Sequence, residues 1–229
     1  MDRAPWFLPD PAALGAAAGS LQLGRVTSVQ DPDSQGRVEV ELLSLPADPL
    51  PRAWARVAVP FAGDQHGAWL IPNVGDQVVL AFIGGDARVP VVLGSLWHGQ
   101  AAPPVQPDGS EIKTWELRGR NRTRLSLTEA SQSTIELETS NGVKLTLKDD
   151  GSGKCQLDCG MTTITIDDSG VKIQTSGKLE ATASSVQISA STVKVDAALS
   201  TFSGMVKCDV LQASSVISSS YTPGAGNIW

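Results

Sequence analysis

The chain is poor in several residue types that chemistry depends on. Its 229 residues include two histidines, His66 and His98, and three cysteines. Two imidazoles leave little material for the commonest general acid or base, although composition does not exclude an enzyme. Three cysteines do not build a disulfide framework. Cys155 and Cys159 flank Gln156-Leu157-Asp158 without the second ligand pair a zinc site needs, and read as reduced, buried thiols acting as small hydrophobes. No run of about 18 apolar residues is present to span a bilayer as a helix. Asp2 and Arg3 before Pro5-Trp6-Phe7-Leu8-Pro9 do not make a signal peptide, so synthesis as a soluble cytoplasmic chain is expected. Basic residues are scarce too: 18 Lys and Arg stand against 24 Asp and Glu, a net charge of -6. That balance argues against nucleic-acid binding, which needs a cationic stripe to release counterions.

Aromatic residues and prolines thin out along the chain. Trp6, Phe7, Trp54, Phe61, Trp69, Phe82 and Trp97 precede Ser110, and only Trp115, Phe202, Tyr221 and Trp229 follow it. After Pro103-Pro104 and Pro107 no proline occurs until Pro223. The division falls near residue 105, in a proline-rich linker. The resulting layout is an N-terminal segment 1–20, a barrel domain 21–100, a linker 101–111, a strand array 112–220 and an apex 221–229.

What is present before the linker is strand and turn. Leu23–Val29 is apolar-rich, and Arg37–Leu42 alternates charge and aliphatic with period two. Trp54–Val59, Asp76–Phe82 and Pro90–Gly94 complete five short strands, separated by turns such as Asp31-Pro32-Asp33-Ser34-Gln35-Gly36. Five strands in so short a span suggest a small closed barrel of the oligonucleotide/oligosaccharide-binding (OB) type, since closure removes sheet edges. This part carries six basic against eleven acidic residues up to Ser110, so the barrel is not built for nucleic acid. Trp54, Phe61, Trp69, Phe82 and Trp97 are expected in the barrel core or in contacts between copies. Ahead of the barrel, Asp10-Pro11 and the alanines to Ala18 have the signals of a short helix that buries little by itself.

After Ile112 aliphatic or thiol side chains recur at alternate positions. The bursts are Leu125 and Leu127; Ile135 and Leu137; Val143, Leu145 and Leu147; Cys155, Leu157 and Cys159; Ile164 and Ile166; Val171 and Ile173. They continue with Val186 and Ile188, Val193 and Val195, then Val206, Cys208 and Val210. Asn141-Gly142, Asp149-Asp150-Gly151 and Asp168-Ser169-Gly170 punctuate them as turns. Such a strip has one greasy face and open edges, and too few large side chains to close a core alone. Its apolar faces are expected to meet copies of themselves around a threefold axis, making a homotrimer with these residues as its core. From Ser176 to Ser220 fifteen of 45 residues are Ser or Thr, yet the Val-x-Val and Val-x-Ile bursts persist, against disorder. Arg118, Arg120, Arg122 and Arg124 form a basic row, either a solvated face or a charged collar against Glu116, Glu129 or a neighbouring chain.

Leu23-Gly24-Arg25-Val26, Gly36-Arg37-Val38-Glu39-Val40, Trp54-Ala55-Arg56-Val57, Pro72–Val79 and Gly85-Asp86 through Pro90–Leu96 together resemble the phage baseplate V family, the central spikes of contractile phage tails, tailocins, extracellular injection systems and type VI secretion. The resemblance implies an all-β protein with an OB-type barrel followed by an intertwined trimeric β-helix, or β-prism, needle. It implies a spike that caps the inner tube, transmits contraction force and pierces a target envelope mechanically, within a phage tail or tail-like particle. No inserted muramidase is expected between barrel and needle, and no iron-caging His-x-His apex, since no histidine follows His98. With only a short segment ahead of the barrel, a separate trimeric hub protein is implied, met by Pro5, Trp6, Phe7, Leu8, Pro11 and Leu14. The ending Tyr221-Thr222-Pro223-Gly224-Ala225-Gly226-Asn227-Ile228-Trp229 resembles blunt spike ends that dock a small tip protein of the proline-alanine-alanine-arginine class. Trp229 either docks that tip or plugs the trimer axis. The rival reading is a glycan-binding or hydrolytic trimeric tail fibre, whose paired carboxylates would be Asp149-Asp150 or Asp167-Asp168, though both pairs read as turns.

Overall fold

The computed structural model describes residues 21–220 except Pro46. These fall into two units, one reaching Lys178 and the other starting at Leu179. The first unit therefore takes in both the barrel and the sheet after it, so the division expected near residue 105 separates two β-structures inside one unit.

Strands β1 (Gln22–Ser28), β2 (Val38–Leu42), β3 (Arg52–Val57), β6 (Gln77–Phe82) and β7 (Pro90–Leu96) close a barrel in the order β1-β2-β3-β7-β6. A small hairpin, β4 (Ala62–Gly63) with β5 (His66–Gly67), lies between β3 and β6 and escaped the sequence reading because each strand is only two residues long. The alternation in β2 points Val38, Val40 and Leu42 inward, where they meet Val26, Ala55, Val78, Leu80, Phe82 and Val92 in one core. Glu39 and Glu41 face outward by the same period of two, toward Arg52.

Register fixes the two ends of the barrel. β1, β3 and β7 run one way and β2 and β6 the other. The chain arrives at Gln22, beside Leu80, and leaves after Leu96, which pairs with Gln77 next to Arg25. Arrival and departure are thus at opposite ends. The departure end carries the loops 29–37 and 58–76; the arrival end carries 43–51 and 83–89.

β8 (Thr114–Arg118), β9 (Arg124–Glu129), β10 (Ser133–Glu138), β11 (Lys144–Asp149), β12 (Lys154–Cys159), β13 (Thr162–Asp167) and β14 (Gly170–Thr175) form a seven-stranded antiparallel meander in strict chain order. From β8 to β14 each strand pairs with its neighbour in the same chain. The reason is the turns. Gly142 at φ +81° and Gly160 at φ +59° take left-handed conformations that return the chain at once to its own neighbour. In the second unit the described residues form no helix or strand and are all exposed. Val186, Ile188, Val193, Val195, Val206, Cys208 and Val210 therefore have no ladder within their own chain.

Candidate assembly surfaces

The meander sorts its side chains into two faces. One row runs Leu117, Leu125, Leu137, Leu145, Leu157, Ile164 and Ile173, each directly opposite the next. A second runs Trp115, Leu127, Ile135, Leu147, Cys155, Ile166 and Val171. No charged side chain interrupts either row. Both stay largely uncovered by the chain itself: Trp115 is 51% exposed, Leu137 47% and Ile173 50%. Trp115 and Leu117 belong to these rows but were missed in the bursts, because β8 stands alone behind the proline-rich linker; the spacing Trp-x-Leu was the available signal. Val143 lies in a turn, not in β11, with its carbonyl accepting from the Thr139 amide.

The thiols differ from expectation. Cys155 is only half-buried, and Cys159 and Cys208 are exposed, because the face that carries the first two has no cover within the chain.

The opposite face is polar and partly locked by charge. Arg118 and Arg124 are paired across β8–β9, whereas Arg120 and Arg122 sit in the turn between them, so the four arginines do not form one row. Arg118 makes an ion pair with Glu116, whose side chain is 3% exposed. Arg124 donates to Glu138 at 2.7 Å and to Glu136 at 2.9 Å, and Lys144 also pairs with Glu136. These carboxylates push the Arg124 pKa further up, Glu138 contributing most through its hydrogen bond. Of the partners foreseen for a collar, Glu116 takes part, joined by Glu136 and Glu138.

On the barrel, Phe82 lies in the core and Trp54 is half-buried with Arg37 over its ring at 5.8 Å. Phe61, Trp69 and Trp97 are exposed, so a core role for them is excluded: they stand in or beside loops at the departure end, beyond the barrel's closed layer. Asp31 holds the 29–37 loop there by accepting from the amides of Asp33, Gln35 and Arg37 and from the Arg37 guanidinium.

The turn carboxylates serve their turns. Asp149 accepts from the Gly151 amide and Asp167 from the amide and hydroxyl of Ser169, which holds the Asp167 pKa down. Among the described residues no group of three or more His, Cys, Asp or Glu side chains could hold a metal ion. No helix among them is long and apolar enough to cross a membrane. The residues assigned to hub docking (Pro5 to Leu14) and tip docking (Tyr221 to Trp229) lie outside the described residues.

The closed five-stranded barrel is the part of the chain that comparison with known proteins matches. Residues 22–97 match the family model of the type VI secretion system/phage-baseplate injector OB domain. Over this barrel the chain is similar to VgrG-like baseplate spike proteins. It is similar to the type VI secretion system spike protein VgrG3 of Vibrio cholerae, 33% identical over 84 residues, 35% of this chain and 8% of that protein. It resembles spike protein VgrG5 of Pseudomonas aeruginosa at 32% over 107 residues, 45% of this chain and 13% of the relative. A third relative, the actin cross-linking toxin VgrG1 of Vibrio cholerae, is 34% identical over 61 residues, 27% of this chain and 6% of the toxin. The similarity thus spans only a small fraction of these relatives' lengths.

Proposed function

We propose that this chain is the non-enzymatic central spike of a contractile injection system, a homotrimer whose barrels face the inner tube and whose β-structured end leads into the target envelope. One observation carries the reading: a barrel similar to that of spike proteins is followed by a sheet with two continuous apolar rows, uninterrupted by charge, that its own chain leaves open. Three such faces packed about an axis bury those rows, at about 25 cal/mol per Å² of apolar surface removed from water. The segment from Leu179 to Ser220 then continues the needle by pairing with its copies, because its backbone has no ladder of its own and its apolar bursts alternate as strands do. The force of contraction is borne by many ladders broken together, which makes the rod kinetically resistant.

Its partners in this reading are a separate trimeric hub, met through Pro5 to Leu14, and a small tip protein met by Tyr221 to Trp229. β1 begins at the end of the barrel opposite to where the chain leaves for the sheet, so the two ends of the barrel are free to meet different neighbours. The protein works inside a phage tail or tail-like particle, and meets membranes only by penetration. Light scattering of the full-length chain tests the architecture: about three times 23.9 kDa is expected, and a stable folded monomer overturns it.

A further inference from the structure

We propose that the cleft beneath the proline-rich linker, lined from Trp97 to Glu116, binds a small alkylammonium ion, that is, an organic amine with an aliphatic body. The cleft measures about 370 Å³, the size of a small-ligand site. Its walls are mainly apolar, with Trp97, Pro103, Pro104, Val105, Pro107 and Ile112. Its charged groups are mostly acidic: Asp108, Glu111 and Glu116 against Lys113. Lys113 has a carboxylate neighbour in Glu111, at 4.0 Å and exposed like itself, which leaves Asp108 and Glu116 to meet a ligand.

The Glu116 side chain is 3% exposed, and its buried Oε1 accepts no hydrogen bond. Arg118 and Arg124 are ion-paired with this carboxylate, yet neither aims an N–H at that oxygen. A buried acceptor without a donor is costly, so it marks a place for one. An ammonium group brings up to three N–H donors and a compensating charge. Its aliphatic body is covered by the prolines and Ile112, and the Trp97 ring, 68% exposed, attracts the cation through its negative face. A hard metal ion fits less well: it needs a shell of oxygens, and among the described residues no group of three or more His, Cys, Asp or Glu side chains could hold one.

The cleft is preformed and stands apart from the apolar rows. Arg118 Nη1 donates to the Pro104 carbonyl at 3.5 Å, tying the linker to β8. Asp108 and Glu111 close a tight bridge, and the Glu129 amide donates to the Lys113 carbonyl at 2.7 Å, anchoring the far end of the linker. Pro103, Pro104 and Pro107 fix their own φ angles, so little freedom is lost on binding. Glu116 lies opposite Ser126 on the polar face, whereas Trp115 and Leu117 on either side of it point the other way. The site therefore does not depend on the trimeric reading.

The test titrates the full-length protein, labelled with fluorotryptophan, with n-hexylammonium and separately with hexanol, hexanoate and ammonium chloride, followed by fluorine NMR. Hexylammonium should shift the Trp97 signal and leave that of Trp115 unmoved, and the neutral, anionic and bodiless probes should bind at least about tenfold more weakly. No shift at Trp97 overturns the proposal, and so does equal binding of hexanol, which would need no carboxylate. Glu116→Gln should weaken hexylammonium by about tenfold or more, and unchanged affinity overturns the proposal. Because Glu116 also holds the β8–β9 hairpin, Trp97→Ala at an exposed position is the second variant. Calorimetry should then show a severalfold loss of affinity for hexylammonium, and an unchanged affinity overturns the site.

Discussion

Arg118 lies directly opposite Arg124 across the β8–β9 hairpin. Like charges in facing positions repel, and the pair is held because Glu116 is ion-paired to both, with Glu136 and Glu138 adding to Arg124. Glu116→Gln should therefore loosen the first hairpin, lowering the stability of the sheet by ~1–2 kcal/mol, since partly exposed arginines are screened by water. Denaturant melts in low salt and in 1 M salt check it: the loss should shrink with salt. Equal loss at both would mean packing, not charge, is responsible.

The two faces of the meander predict opposite responses to the same new charge. Leu137→Lys puts an ammonium into the middle of an apolar row, between Leu125 and Leu145, and should abolish the proposed trimer, giving a monomer mass in light scattering. Thr146→Lys, on the polar face between Glu136 and Gln156, should leave the mass unchanged and stability within ~0.5 kcal/mol. Trimers from both variants would show that the rows are not the interface.

The 29–37 loop should keep its shape in acid. Arg37 donates to Asp31 and holds its carboxyl well below the usual carboxylate range. A carboxylate depressed in the folded state contributes stability that is complete above its unfolded pKa and is lost only as pH falls through the depressed value. NMR signals of the Asp33, Gln35 and Arg37 amides should hold steady between about pH 6 and pH 3, across the range where free Asp titrates. Asp86, lowered to about 2 chiefly by its hydrogen bond from Arg88, should behave likewise. A titration midpoint near the free value at Asp31 would refute the clamp.

Leu80 is fully buried in the barrel and its Cδ1 lies 2.8 Å from where a Cβ on Gly24 would stand. Leu80→Ala should cost the barrel ~2–5 kcal/mol by opening a cavity. Chemical denaturation followed through Trp54 fluorescence checks it; a loss well under that range would mean the core collapses around the gap.

The strand content was legible in the residues because alternation has a period of two wherever one face is buried. Val38, Val40 and Leu42 announced β2, and Leu145 with Leu147 announced β11, without reference to any partner. Closure of five strands followed from their number and from the need to hide edges, and Asp31 through Gly36 declared their turn by composition. Which strand pairs with which is not local information. A one-residue change of register exchanges the faces of a strand, so only the assembled ladders set Arg118 beside Arg124 and align Leu117 with Ile173 along one row. Exposure likewise belongs to the fold: Phe61, Trp69 and Phe82 are all aromatic, yet only Phe82 falls on an inward strand position, while the other two stand on loops beyond the barrel wall. The residues themselves determined the strands and the greasy side of each; the tertiary structure decided what that side faces, because facing is a relation between segments distant in sequence.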